Sequence, residues 1–255
     1  MNEMVTQMVP SFDGTKLAVH RMGPAGANVR PVLMLHGLFS SAQMNWIKFG
    51  HAQKLVDAGF EVIMPDLRAH GDSGKPHHSA AYPPDVLARD VLALVSSLGL
   101  DDFDLVGFSL GSRTAVRAVI SGLAPRRLVL SGMGLEGLAG WHSRAAFFID
   151  AIDRFDTVKR GDQAFMAVSF MKTMKVDRIA ARLLLQSVAD TQPEGLAALT
   201  MPTMVLCGTQ DNDNGSAQGL AQTLPDGRYT AIPGTHMSSV TEGALGDALV
   251  DFLSG

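Results

Sequence analysis

Gly107-Phe108-Ser109-Leu110-Gly111 follows the apolar run Phe103–Val106 and leads into a helical pattern running from Arg113 to Ile120. A serine held on a sharp turn from strand to helix is forced outward. Close packing around such a turn admits only residues without a Cβ two positions to either side. The turn also sets Ser109 at a helix N-terminus, where backbone N–H groups without intrahelical partners stabilise developing negative charge. With 26 glycines and 18 serines in 255 residues, the five-residue pattern alone arises by chance in roughly one such chain in five. The rest of the sequence must decide what it means.

That sequence alternates strands with helices. Met4–Pro10 and Lys16–Arg21 flank Asp13-Gly14, a hairpin signal. Pro31–Leu35 and Phe60–Met64 are short uninterrupted apolar runs of the kind buried in a parallel sheet, and Pro65 stops the second. Phe103–Val106, Arg127–Leu130, Thr203–Cys207 and Arg228–Ile232 are four further strand candidates. Helical spacing appears over Gln43–Ala58, closed by Gly59, and over Asp85–Leu98, closed by Gly99. Ser216–Thr223 and Glu242–Leu253 follow the last two loops as helices. The alternation predicts an α/β fold built on a mostly parallel sheet with right-handed crossovers, whose strand ends collect catalytic loops.

One stretch breaks the rhythm. Gly134 to Leu199 holds no strand candidate, while Arg144–Phe155, Gln163–Met174 and Asp177–Val188 show helical spacing. That is too long for a simple crossover and reads as a helical insertion rich in Phe and Met. Most of those side chains fill the insertion's own core, and some face a pocket beneath it.

Length and a hydrophobic fraction of 46% suit one large core with an insertion. A net charge of −4 and the lack of a basic cluster with interleaved aromatics argue against nucleic acid as a partner. The single cysteine, Cys207, leaves no intrachain disulfide. The N-terminal residues lack a basic region followed by a long apolar one. No run approaches the roughly 18 apolar residues of a membrane span. The expectation is a cytoplasmic protein acting on a small molecule, with no cofactor and no metal. Asp211-Asn-Asp-Asn214 superficially resembles a calcium loop, but Gly215 stands where a ligand is needed and no closing glutamate follows. His77-His78 reads as an exposed loop.

A serine hydroxyl is a poor nucleophile until a base takes its proton. Of eight histidines, His236 follows the Arg228–Ile232 strand and precedes the last helix, so it projects from the same sheet edge as Ser109. A carboxylate must then fix the histidine's tautomer. Asp211, four residues past Cys207, is favoured by spacing over Asp213 in the same loop, with Glu136 third.

Ser109, Asp211 and His236 occur in the order of the α/β-hydrolase nucleophile elbow, and the chain resembles that superfamily over essentially its full length. Leu35-His36-Gly37-Leu38-Phe39 and Pro65-Asp66-Leu67-Arg68-Ala69-His70-Gly71-Asp72-Ser73 carry the resemblance further, with Ala69 where glycine is common. The resemblance implies an eight-stranded sheet, a core of residues 1–133 and 200–255, and a helical cap over residues 134–199. It implies an oxyanion hole from the backbone N–H groups of Leu38 and Leu110. His36, Asp66, Arg68 and His70 are expected to hold turns and not to touch substrate.

Superfamily members that open epoxides or cleave carbon–halogen bonds carry aspartate at the elbow. Serine points to acyl transfer, and a carboxylic-ester hydrolase acting on a small to medium, partly apolar substrate is the leading expectation. Phe39, Phe108, Met133, Trp141 and Met237 are the candidate substrate contacts, with Leu38 and Leu110 shaping the same pocket. Arg113 is read as a surface residue. With no arginine beside the motifs to clamp an anion, strongly anionic substrates are disfavoured unless Arg144 or Lys172 in the insertion reverses this. Lactonase, carbon–carbon bond hydrolase, thioesterase and metal-free perhydrolase chemistry share the machinery. A small-molecule receptor on the same scaffold is the alternative of another class.

Overall fold

Eight strands, spaced along the chain as the short apolar runs anticipate, form one twisted sheet in the computed structural model, which describes residues 4–26 and 28–255. The order across the sheet is β1-β2-β4-β3-β5-β6-β7-β8. β1 (Val5–Pro10) and β2 (Lys16–Met22) form the antiparallel hairpin. The remaining strands, β3 (Pro31–Leu35), β4 (Glu61–Pro65), β5 (Asp104–Phe108), β6 (Leu128–Ser131), β7 (Thr203–Gly208) and β8 (Gly227–Ile232), run parallel to one another.

Alternation along these strands divides the apolar side chains between two layers. Leu33, Leu35, Ile63, Leu105, Leu128 and Val205 face one side, covered by α2 (Val86–Leu98), α3 (Leu110–Ile120) and α8 (Ala217–Thr223). Val32, Met34, Val62, Val106, Val129 and Met204 face the other, covered by α1 (His51–Asp57) and α9 (Gly243–Ser254). A parallel sheet covered on both faces needs strands that are apolar throughout. That is why these segments stand out in the sequence.

Between β6 and β7 lie α4 (Leu135–Ala139), α5 (Trp141–Asp153), α6 (Phe165–Thr173) and α7 (Arg178–Ser187). Asp177 caps α7 through its carboxylate, which accepts the N–H groups of Ile179 and Ala180. The single helix expected over Gln43–Ala58 is instead two pieces. A π-helical turn covers Gln43–Ile47, and α1 begins only after Gly50, whose φ of 80° breaks the run. Apolar spacing continues across the break, so periodicity alone does not register it. No helix among the described residues is long and apolar enough to cross a membrane.

Candidate active site

β5 ends where the backbone must reverse into α3, and Ser109 makes the reversal with φ 54° and ψ −111°. A non-glycine residue at positive φ carries strain that the surroundings must impose. The flanking glycines show how. A Cβ on Gly111 would lie 2.0 Å from the Leu35 carbonyl oxygen, and one on Gly107 would lie 2.5 Å from the Ser112 nitrogen. Two strands and a helix meet too closely there for any side chain.

The strained turn presents Ser109 Oγ 3.0 Å from His236 Nε2, and His236 Nδ1 stands 2.9 Å from Asp211 Oδ2. Three loops that leave β5, β7 and β8 thus meet in one hydrogen-bonded line. The three residues retain 8–9% of their accessible surface, so the site is sheltered and a small part of each still meets solvent. The Phe108 ring packs 5.1 Å from the His236 ring, and Asn214 Nδ2 donates to the Gly132 carbonyl beside them at 2.7 Å. Asp213 is exposed, and its backbone N–H donates to Asp211 Oδ1. Glu136, also exposed, accepts the Ser216 N–H.

Burial alone would raise the Asp211 carboxyl's pKa. The hydrogen bond and charge of His236, with help from the Asp213 N–H and the Cys207 thiol, outweigh it and leave the carboxyl below its usual range. The same enclosure, reinforced by Asp211, pushes the Cys207 thiol up to about 12.

The loop after β3 shows a second ordered feature. Gly37 N–H donates to Asn45 Oδ1 at 3.1 Å, and Phe39 N–H donates to His70 Nε2 at 2.9 Å. Among the described residues, the Leu38 N–H between them has no acceptor, and neither does the Leu110 N–H at the first position of α3. The loop lies against the serine, since a Cβ on Gly37 would approach Ser109 Cβ to 3.5 Å. The tautomers follow from these contacts. His70 Nδ1 lies 2.9 Å from the Arg68 carbonyl and must carry the proton, leaving Nε2 as acceptor. His36 repeats the pattern, with Nδ1 against the Gly37 carbonyl and Nε2 accepting the Leu67 N–H. Asp66 accepts the N–H groups of Ala42 and Asp72, while Arg68 pairs with Asp13 and Asp90. Ala69 has φ 69°, a left-handed position that explains why glycine is the more comfortable residue there. His20, Asp66 and Asp72 form one grouping with metal-ligand spacing, but both Asp66 oxygens are already committed to backbone N–H groups.

The apolar candidates divide. Phe39 is buried and meets Phe148 of α5 edge-on at 5.5 Å, and Met133 is buried in the layer beneath the helices. Phe108 supports the imidazole from the side. Met237, next to His236, is 55% exposed. Trp141 is held elsewhere: its Nε1 donates to the Leu185 carbonyl, and it lines a hollow between α5 and α7 with Ala145, Ile149 and Gln186. No hydrogen bond or ring contact of the described residues links Trp141 to Ser109. Arg113 is not a surface residue. It is buried beneath Trp141, donates to the Gly137 and Ala189 carbonyls, and burial pulls its pKa down to about 10. Asn45, Asn214 and the acceptor role of His70 had no signal in the sequence beyond their neighbourhood to the motifs.

Residues 30–128 match the sequence profile of the alpha/beta hydrolase fold family. N-formylmaleamate deformylase of Pseudomonas putida is 30% identical over 148 residues, 56% of this chain and 53% of that protein. The match therefore spans about half of that relative's length. 3-oxoadipate enol-lactonase 1 of Acinetobacter baylyi is 23% identical across 95% of this chain and 94% of its own. Among solved structures, a hydrolase from Pseudomonas aeruginosa superposes with a TM-score of 0.75 at 23% identity, covering 98% of both chains. The enol-lactonase from Burkholderia xenovorans gives 0.74 at 22% identity, covering 98% of this chain and all of that one. At these identities, the structural likenesses show the fold.

Proposed function

We propose that this chain, an α/β-hydrolase-fold protein, is a serine hydrolase that cleaves carboxylic esters through a covalent acyl-enzyme. The hydrogen-bonded line from Ser109 through His236 to Asp211, with the serine on a strained elbow, carries this reading. Ser109 Oγ attacks the ester carbonyl as His236 Nε2 takes its proton. Asp211 holds the Nδ1–H tautomer and stabilises the imidazolium that forms. The carbonyl oxygen gains negative charge and accepts hydrogen bonds from the Leu38 and Leu110 N–H groups, each worth about 3–4 kcal/mol of barrier. The imidazolium then protonates the departing alcohol. A water, deprotonated by the same nitrogen, releases the acid and frees Ser109.

The chemistry needs only a carbonyl with a departing oxygen, so a lactone fits it as well as an open ester. The near full-length likeness to an enol-lactonase makes cyclic esters the first substrates to compare with linear ones. Residues 134–199 act in this reading as a cap over a core of residues 1–133 and 200–255. The edge-on contact of Phe148 with Phe39 supports it, because it joins α5 to the loop that supplies Leu38.

A panel of p-nitrophenyl esters and γ- and δ-lactones tests the proposal. Turnover is expected for short and medium acyl chains, and Ser109→Ala is expected to reduce kcat by at least about a thousandfold. Turnover that survives Ser109→Ala would assign the chemistry to another group.

A further inference from the structure

α5 presents Arg144 and Phe148 on one face, four residues apart. The Phe148 ring meets Phe39, next to Leu38, edge-on at 5.5 Å. The Arg144 guanidinium lies 5.9 Å from the centre of the Phe148 ring and donates through Nη1 to the Asp213 carbonyl, two residues from Asp211. The side chain therefore bridges the insertion to the acid's loop at the flank of the site.

Its surroundings differ from those of its neighbours. Arg154, Arg178 and Arg182 on the insertion each pair with an aspartate, their side chains 42–45% accessible. Arg144 is half-buried and makes no ion pair among the described residues. The Asp213 carbonyl takes one of its five N–H donors, and among the described residues no other acceptor engages the rest. Burial disfavours its charge, with Asp213 and Asp211 close enough to compensate only in part. Asp211 is committed to His236, and the Asp213 side chain is exposed. A half-buried guanidinium with unused donors is the arrangement that a planar anion satisfies.

We propose that Arg144 is a specificity-determining residue that binds a free carboxylate on the substrate, so that the physiological ester or lactone is an anion. This inference rests on the serine-hydrolase reading for the reacting end of the substrate. The guanidinium holds the carboxylate end through charge-assisted hydrogen bonds, and the scissile carbonyl reaches Ser109 at the other. It takes up the exception that the sequence leaves at Arg144 to the expectation that strongly anionic substrates are disfavoured.

The test compares the p-nitrophenyl monoester of glutaric acid, which keeps a free carboxylate, with p-nitrophenyl valerate, its neutral counterpart of similar length. The ratio of their kcat/KM values is expected to favour the carboxylate. It should fall about 10- to 100-fold in Arg144→Met, the range of a hydrogen bond to a charged group, with part of it restored in Arg144→Lys. A ratio unchanged by Arg144→Met, or a wild-type preference for the neutral ester, overturns the inference. A binding arm separates this from the catalytic reading: Ser109→Ala protein titrated calorimetrically with monomethyl glutarate, with and without Arg144→Met. Binding lost with Arg144 supports the inference even if neither ester turns over, a result that would count against the serine-hydrolase reading alone. Binding indifferent to Arg144 overturns the inference.

Discussion

The neutral imidazole of His70 can accept the Phe39 N–H only through Nε2, because Nδ1 donates to the Arg68 carbonyl. Glutamine places its terminal atoms where Nε2 stands, and leucine offers no acceptor. His70→Leu should therefore lower kcat about tenfold or more with little change in KM, and His70→Gln should restore most of it. Equal losses in both variants would mean that the ring acts by bulk alone. At Asp211, the carboxylate holds the His236 tautomer, whereas Asp213 offers His236 only a neighbouring loop. Asp211→Asn should cost about 10⁴ in kcat, and Asp213→Asn less than about threefold. Comparable losses from the two would place the carboxylate role at Asp213. At this scale, Ser109, Asp211 and His236 were legible because each lies just past a strand end, and chain order fixes their sequence along the sheet. Asn45 and His70 were not. Their work is to accept backbone N–H groups of the loop after β3, 8 residues from Asn45 and 31 from His70, and such contacts leave no periodic trace. Arg113 was misread for a related reason: nothing local marks an arginine whose acceptors are carbonyls 24 and 76 residues away.

The elbow is the element on which the site depends. Gly111 faces the Leu35 and His36 carbonyls too closely for a methyl group. Gly111→Ala should destabilise the fold by about 3 kcal/mol or more, since backbone on both sides must move, and the urea midpoint reads that loss directly. A midpoint within experimental scatter of the wild type would show that the strand and helix can separate there freely. The strands were legible as short apolar runs bounded by Pro, Gly or charged residues, and the observed ranges shift by only one or two positions. The helices of the insertion were legible as a group. The buried face of α5 follows Trp141, Ala145, Phe148 and Ile152 at helical spacing, but Phe147 and Ile149 blur it in the sequence. What that face touches became evident only from Phe148 against Phe39 and Arg144 against the Asp213 carbonyl.

For the whole molecule, three buried histidines give stability a definite pH dependence. Burial pushes His36, His51 and His70 below the ordinary 6.5, His70 down to about 3 with the nearby His36 charge contributing. The folded chain then binds fewer protons than the unfolded chain between these values, so stability is intact above about 6.5 and drains as pH falls toward 3. Asp13 and Asp66, held low by Arg68 and by His20 respectively, extend the loss into more acid solution. His20, raised chiefly by its bond to Asp66, and Asp90 and Asp104, raised by burial, act in the opposite direction. The urea midpoint should fall steadily from pH 7 to 4, and His70→Gln should make the fall shallower. A flat midpoint over that range would contradict the neutral state of these rings. The hydrogen-bonded line of Ser109, His236 and Asp211 is tested most directly by a fluorophosphonate, which reacts only with an activated serine. Peptide mapping by mass spectrometry of the labelled chain should place a single adduct on Ser109, formed at least about a hundredfold more slowly in His236→Ala. An adduct on another serine, or labelling of Ser109 at an undiminished rate without His236, would contradict the central claim that these three residues form a catalytic site.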